Sequence, residues 1–141
     1  MDPMKRFQDN KNGVITDSAQ KKGWLPKDAR QDLGKWVNWE EAQSYARLMN
    51  QIYAGGFSDW RLPTRDELMR FYDEGYSQSD FEEDTVHIHP VFVNKCAYYM
   101  WSSDLDDKGQ AFRINLRDGT TGYVDKSIRE LQAARLVRDM K

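Results

Sequence analysis

The stretch Gly55-Gly56-Phe57-Ser58-Asp59-Trp60-Arg61-Leu62-Pro63-Thr64-Arg65-Asp66-Glu67-Leu68 restricts the fold more than any other part of this chain. Thr64 and Glu67 are spaced as a capping box, in which each side chain takes up a main-chain N–H that the first helical turn leaves unpaired. Asp66 adds negative charge where the helix dipole favours it, and Pro63 fixes the backbone just before the cap. Leu68, Phe71 and Tyr72 form the apolar face of this helix, and Gly75 is expected to end it. Upstream, Asn38 and Glu41 make a second capping box. Trp39, Ala42, Tyr45, Ala46, Met49, Ile52 and Tyr53 follow at helical spacing, which predicts a helix over 39–53. Gly55 and Gly56 are expected to supply its C-cap. The stretch therefore reads as a corner between two capped helices.

The flanks read as β. Residues 5–25 suggest a strand, a turn at Asp9-Asn10-Lys11-Asn12-Gly13 and a strand from Val14, closed by Gly23-Trp24-Leu25-Pro26. Residues 26–37 read as a loop. Tyr98 to Ser103 is extended, and Phe112, Ile114 and Leu116 alternate with polar neighbours. Asp118-Gly119 marks a turn before a partner strand from Thr120 to Val124, and Ala133 to Arg138 alternates as a closing strand. The fold class is α+β, with two helices on a twisted, mostly antiparallel sheet with long loops. A chain of 141 residues suits one domain, 1–141, and 18 large aromatics supply core area economically (five Trp, seven Tyr, six Phe).

A net charge of −2 argues against general nucleic-acid binding. Cys96 is the only cysteine, so no internal disulfide forms. The opening Met1-Asp2-Pro3-Met4-Lys5-Arg6-Phe7 has no apolar run behind its basic pair, and no apolar segment is long enough for membrane insertion. The expected location is the cytoplasm, or outside it if a leader has been removed.

The order of motifs resembles the C-terminal domain family of bacterial collagen-like adhesins, the Lcl C-terminal domain, a domain of unknown function. The resemblance rests on Asn12-Gly13-Val14-Ile15-Thr16-Asp17, Trp24-Leu25, and Trp39 with Ala42 and Tyr45. It continues through Gly56 to Thr64 with Glu67-Leu68, then Ile88, Pro90, Phe92 and Trp101-Ser102-Ser103, to Gly119 and Arg135-Leu136-Val137-Arg138. That family is similar to the C-type-lectin-like and formylglycine-generating-enzyme-like folds. The resemblance implies a lectin-like scaffold that binds rather than catalyses. Formylglycine-generating oxidases use a cysteine pair, which this chain lacks.

Candidate sites follow. In Asp59, Trp60, Arg61, Pro63, Thr64 and Glu67 an architectural role outweighs a ligand surface: Trp60 and Leu62 are expected in the core, and Arg61 is expected to pair with Asp59 or cap carbonyls. Ser102 and Ser103 lack the surroundings of a nucleophile. His87 and His89 share a face of an extended segment and, with Cys96 and nearby acids, form the weak metal candidate; histidines hydrogen-bonded or in solvent are the default. No calcium loop is indicated, since alignment on Gly13 places Gln8 and Ala19 at the end positions of an EF-hand. Residues 73–84 carry six acids without Lys or Arg, interleaved with aromatics. This segment reads either as a solvated loop or as a docking surface built from Tyr72, Tyr76, Phe81, Glu82, Glu83 and Asp84. Tyr99, Trp101 and loop 104–110 are expected beside it. The expected function is non-catalytic, without a cofactor: binding to a protein partner or a homo-oligomer. Glycan binding is the alternative, and a metal-dependent enzyme using His87 and His89 the second alternative.

Overall fold

The computed structural model describes residues 3–140. The start at Met1, on which the expected location rests, lies outside the described residues. The chain is α+β. An N-terminal meander of β1 (Phe7–Asp9), β2 (Ile15–Asp17) and β3 (Lys22–Trp24) is joined by the last strand, β10 (Val137–Asp139), in the order β1-β2-β3-β10, all antiparallel. A second sheet has the order β8-β7-β6-β9, from β6 (Tyr99–Leu105), β7 (Ala111–Asn115), β8 (Thr121–Val124) and β9 (Gln132–Ala133). Only β9 runs parallel to its neighbour, β6. A short ribbon of β4 (Gln78–Ser79) and β5 (Thr85–Val86) spans the acidic segment.

Among the described residues three α-helices join these sheets, one more than the sequence suggested. The extra one, α1 (Ala29–Leu33), lies in the segment read as a loop. It has a complete capping box of Asp28 and Gln31 and ends on left-handed Gly34. Five residues are too few to display a helical period, which explains the misreading. Helix α2 (Trp39–Gln51) buries Ala42, Tyr45, Ala46 and Met49. Helix α3 (Arg65–Phe71) buries Glu67, Leu68 and Phe71 and stops at Tyr72, before Gly75. Both expected capping boxes are formed.

The end of α2 differs from expectation. Its C-cap is Ile52, and Tyr53 takes the left-handed conformation at φ 52°. Gly55 and Gly56 form the next turn instead, at φ 62° and 89°. Gly55 is also required by space, because a Cβ there would lie 2.6 Å from Val14 Cγ2.

The ending expected as one strand is split between sheets, with β9 in one and β10 in the other. Ala134, Arg135 and Leu136 cross the interior between them, all fully buried. Main-chain bonds from Ala29 to Ala134 and from Leu25 to Leu136 seat this crossing. One core, around Trp24, Phe71, Phe92 and Met100, fills the space beneath α3 and the ribbon. The other, around Tyr45, Trp60, Leu62, Trp101 and Leu136, lies under α2.

Candidate functional site

The corner from Gly55 to Leu68 is architecture. Trp60 and Leu62 are buried, and Asn50 brackets Trp60 by donating to its carbonyl at 2.9 Å and accepting its N–H at 2.7 Å. Arg61 exchanges main-chain bonds of 3.0 Å with Val137 on the outer edge of β10, and the Pro63 carbonyl accepts the Ser103 N–H at 2.8 Å. The Arg61 side chain pairs not with Asp59 but with Glu67, through two bonds of 2.7 and 2.8 Å, and with Asp139 at 2.8 Å. Asp59 instead accepts from Arg138, whose guanidinium lies 3.5 Å from the Phe57 ring centre. The reason is geometric: the bridge between Arg61 and Val137 lays the corner along β10, which brings Arg138 to Asp59.

The acidic segment is folded on a single cation. Asp80 is fully buried; its Oδ1 accepts the N–H groups of Glu82 and Asp84, and its Oδ2 accepts Arg117 Nε at 2.7 Å. Arg117 also reaches Glu82 at 2.9 Å and Asp84 at 3.1 Å. One guanidinium after β7 thus organises the segment and removes Asp80 from the surface, while Glu82 and Asp84 stay exposed and the segment keeps a net negative charge. Glu83 remains exposed, at a left-handed φ of 65°.

Two aromatics expected on that surface are in the core. Tyr76 is 3 % exposed and donates its hydroxyl to the Pro3 carbonyl at 2.7 Å. Trp101 is fully buried and donates to the Val37 carbonyl at 3.0 Å. Sequence alone could not place them, since each is covered by residues distant in the chain. Tyr72, Phe81 and Tyr99 are half-buried.

The histidines do not converge on an ion. His89 is buried, and both ring nitrogens meet the main chain: one faces the Met4 carbonyl at 2.8 Å and the other accepts the Val91 N–H at 2.9 Å. The His87 ring faces the Tyr76 carbonyl and packs edge-on to Tyr72. Cys96 is fully buried, and burial pushes its thiol up to about 12, against the favourable charge of Arg135. Among the described residues no group of three or more metal-binding side chains is assembled.

The surface most like a binding site was not anticipated. A depression of about 590 Å³ opens beside α1, lined by Arg30, Trp36, Glu41 and Arg129 among others. A second, of about 220 Å³, runs between α1 and α2 past Leu33, Ser44 and Leu48. The two share Lys35 and Glu41, so they adjoin and together are called the α1–α2 groove. Arg30 stacks on Trp36 at 4.5 Å, and Phe81 closes the end with its ring 4.9 Å from Trp36. Phe81 thereby brings the acidic segment to the groove. Glu41 accepts from Arg129 at 2.6 Å, and that bond together with the Asn38 N–H holds its carboxyl below the usual range. The signals available in sequence were Asp28 three before Gln31, Gly34 after them, and an isolated Trp36 beside Lys35.

A family model described as the Lcl C-terminal domain matches residues 13–138. The chain belongs to that family. No curated protein gives a significant match. The matched span includes the corner, all three helical capping boxes, the groove and the crossing through Arg135. Within this Lcl C-terminal domain, the block from Asp59 to Glu67 is thus a joint between α2, α3 and β10, and the groove lies on other elements. Among the described residues, no helix is long and apolar enough to cross a membrane.

Proposed function

We propose that this Lcl C-terminal domain is a non-catalytic binding module whose α1–α2 groove takes an apolar segment of a protein partner. The observation that carries the reading is the adjacency of the two depressions, which share Lys35 and Glu41. Leu33 and Leu48 lie in the groove at 36 % and 40 % exposure, beside half-buried Trp36, with Lys35, Glu41 and Arg129 along its rim. An apolar floor with a charged rim of both signs is the composition of a protein interface. Groups that catalysis would use are committed elsewhere. Ser102 is buried and its hydroxyl accepts the Asp104 N–H, while His89 and Cys96 are held as described above.

A second reading has one observation in its favour. Trp36 sits among Arg30, Arg129 and Glu130, an aromatic ring with polar neighbours of the kind that receives a sugar.

Photo-crosslinking from position 44, which lines the same groove, with Leu33→Glu and Leu48→Glu as variants, tests the first reading. The expected result is a crosslinked protein partner lost in both variants and retained in Met69→Glu, which alters an exposed methionine on α3. Capture unaffected by either leucine variant overturns the groove. Glycan-array binding that Trp36→Ala abolishes while Leu48→Glu leaves it intact would favour the sugar reading.

A further inference from the structure

Five arginines of this chain are committed to carboxylates: Arg6, Arg61, Arg117, Arg129 and Arg138 each meet an aspartate or glutamate at 2.6–2.9 Å. Arg113 on β7 is different. Its guanidinium lies 3.9 Å from the centre of the Tyr99 ring, and among the described residues no acceptor meets its N–H groups. Stacking engages the flat face of a guanidinium, whereas its donors lie in its plane and stay available. Arg113 is half-buried, so the ring holds those donors in place and part of the cost of ordering them is already met. Arg30 is stacked in the same way on Trp36, but its depression is also lined by Glu41 and Glu130.

Arg113 lines a depression of about 240 Å³ together with Tyr99, Thr120, Thr121, Gly122 and Val124, and no acidic side chain is among them. The acids flanking β8, Asp118 and Asp125, are taken up in their own turns, where they accept from Thr120 and Ser127. Gly122 is the direct partner of Arg113 across the ladder, and opposite residues share a face of the sheet. The fold itself does not call for glycine there: its φ is ordinary, and a Cβ would meet nothing within 4 Å. Glycine inside a strand weakens it and often marks the close approach of a ligand. Here it keeps space open beside the guanidinium. The Asn115 N–H donates to Thr120 at 2.8 Å, and bonded pairs alternate with unbonded ones along β7 and β8. Thr121 is therefore unbonded to β7 and turns its N–H to the open edge of the sheet, a second donor lining the same depression.

We propose that this depression binds a carboxylate carried on a small apolar body. Arg113 donates to the carboxylate oxygens, the Thr121 N–H assists from the edge, and Val124 and Tyr99 receive the apolar part. The planar fork of a guanidinium matches a carboxylate, and one guanidinium balances its single charge. A phosphate monoester carries about −1.5 to −2, and neither a lysine nor a second arginine lines the depression to balance the remainder. The terminus of a protein chain and a free organic acid share this chemistry. The depression has no lining residue in common with the α1–α2 groove, so the proposal stands apart from the reading of that groove.

Amide NMR titration of the whole chain near neutral pH tests it, with N-acetyl-phenylalanine, benzoate, uncharged N-acetyl-phenylalaninamide and inorganic phosphate as probes. Both carboxylates are expected to shift the Thr121 and Gly122 amides saturably, with half-saturation on the order of millimolar, as one small contact allows. The uncharged amide is expected to shift neither, and phosphate to bind at least about tenfold more weakly than the better carboxylate. Tighter binding of N-acetyl-phenylalanine than of benzoate identifies a chain terminus as the source, and the reverse order a free organic acid. Arg113→Gln is expected to abolish the shifts. Gly122→Val, which the single chain accommodates but which fills the depression, is expected to abolish them with Arg113 in place. Both variants are expected to keep the circular dichroism of the wild type. No saturable shift up to about 50 mM overturns the proposal. Carboxylate binding that persists unchanged in either variant, or phosphate binding as tight as that of the carboxylates, overturns it as well.

Discussion

Replacing Glu67 by Gln tests the joint at which α2, α3 and β10 meet. The Glu67 carboxylate accepts from Arg61 at 2.7 and 2.8 Å and from the Thr64 N–H at 2.8 Å, and lies 3.3 Å from Lys22 Nζ. Burial opposes its charge, but the Arg61 pair, the Thr64 N–H and Lys22 outweigh burial and hold it down at about 2, from an ordinary 4.5. A shift of that size corresponds to about 3 kcal/mol favouring the folded state, reduced to about 2 kcal/mol because the Arg61 side chain is about a third exposed and water screens part of the attraction. Gln keeps the shape, but its amide turns a donor toward Arg61 or Thr64, so the loss is expected at about 2–3 kcal/mol near neutral pH. For a chain of this size that is about 6–10 °C in melting temperature. The folded carboxyl titrates lower than the unfolded one, so its contribution is complete above about pH 5 and disappears as pH falls toward about 2. Urea unfolding of both proteins from about pH 7 down to about pH 2.5 reads this directly. The gap between wild type and Glu67→Gln is expected to close on acidification. A gap under about 0.5 kcal/mol at neutral pH, or one that stays constant in acid, would refute the reasoning.

Three further outcomes follow from the packing. Gly55→Ala combines a left-handed φ with a Cβ 2.6 Å from Val14 and is expected to cost about 2 kcal/mol or more, whereas Gly34→Ala, left-handed but in open space, is expected to cost about 1 kcal/mol; thermal melts compare them. Arg117→Gln strips buried Asp80 of its cation, and a loss of about 2 kcal/mol is expected with faster amide hydrogen exchange confined to residues 80–84. Cys96 is expected to resist an aromatic disulfide reagent in the native protein and to react at once in denaturant; rapid native labelling would contradict the burial that pushes its thiol up to about 12.

Local chemistry made the two long helices legible. Asn38 with Glu41 and Thr64 with Glu67 act over one turn, and the spacing of Ala42, Tyr45, Ala46 and Met49 needs no distant partner to be read. The hairpin at Asp118-Gly119 was readable for the same reason. The candidate site was not. Tyr76 and Trp101 looked like surface aromatics because their covers, Pro3 and Val37, come from elsewhere in the chain. Asp80 looked like a surface acid because Arg117, more than thirty residues later, is invisible from its neighbourhood.

The stretch from Gly55 to Leu68 shows the division most clearly. Its Thr64–Glu67 cap and its proline were determined by the sequence, because each acts on the backbone within a few residues, whereas Gly55 and Gly56, expected to cap α2, form the next turn after the Ile52 cap. Which partners its charged side chains take was decided only by tertiary structure. Arg61 meets Glu67 and Asp139, and Asp59 meets Arg138, because β10 returns from the far end of the chain to lie beside the corner. The groove between α1 and α2 has the same origin. Leu33, Trp36, Leu48 and Arg129 carry no shared signal in sequence, and they meet because packing the capped helices α1 and α2 against the β9 crossing leaves a space that no side chain of the described residues fills.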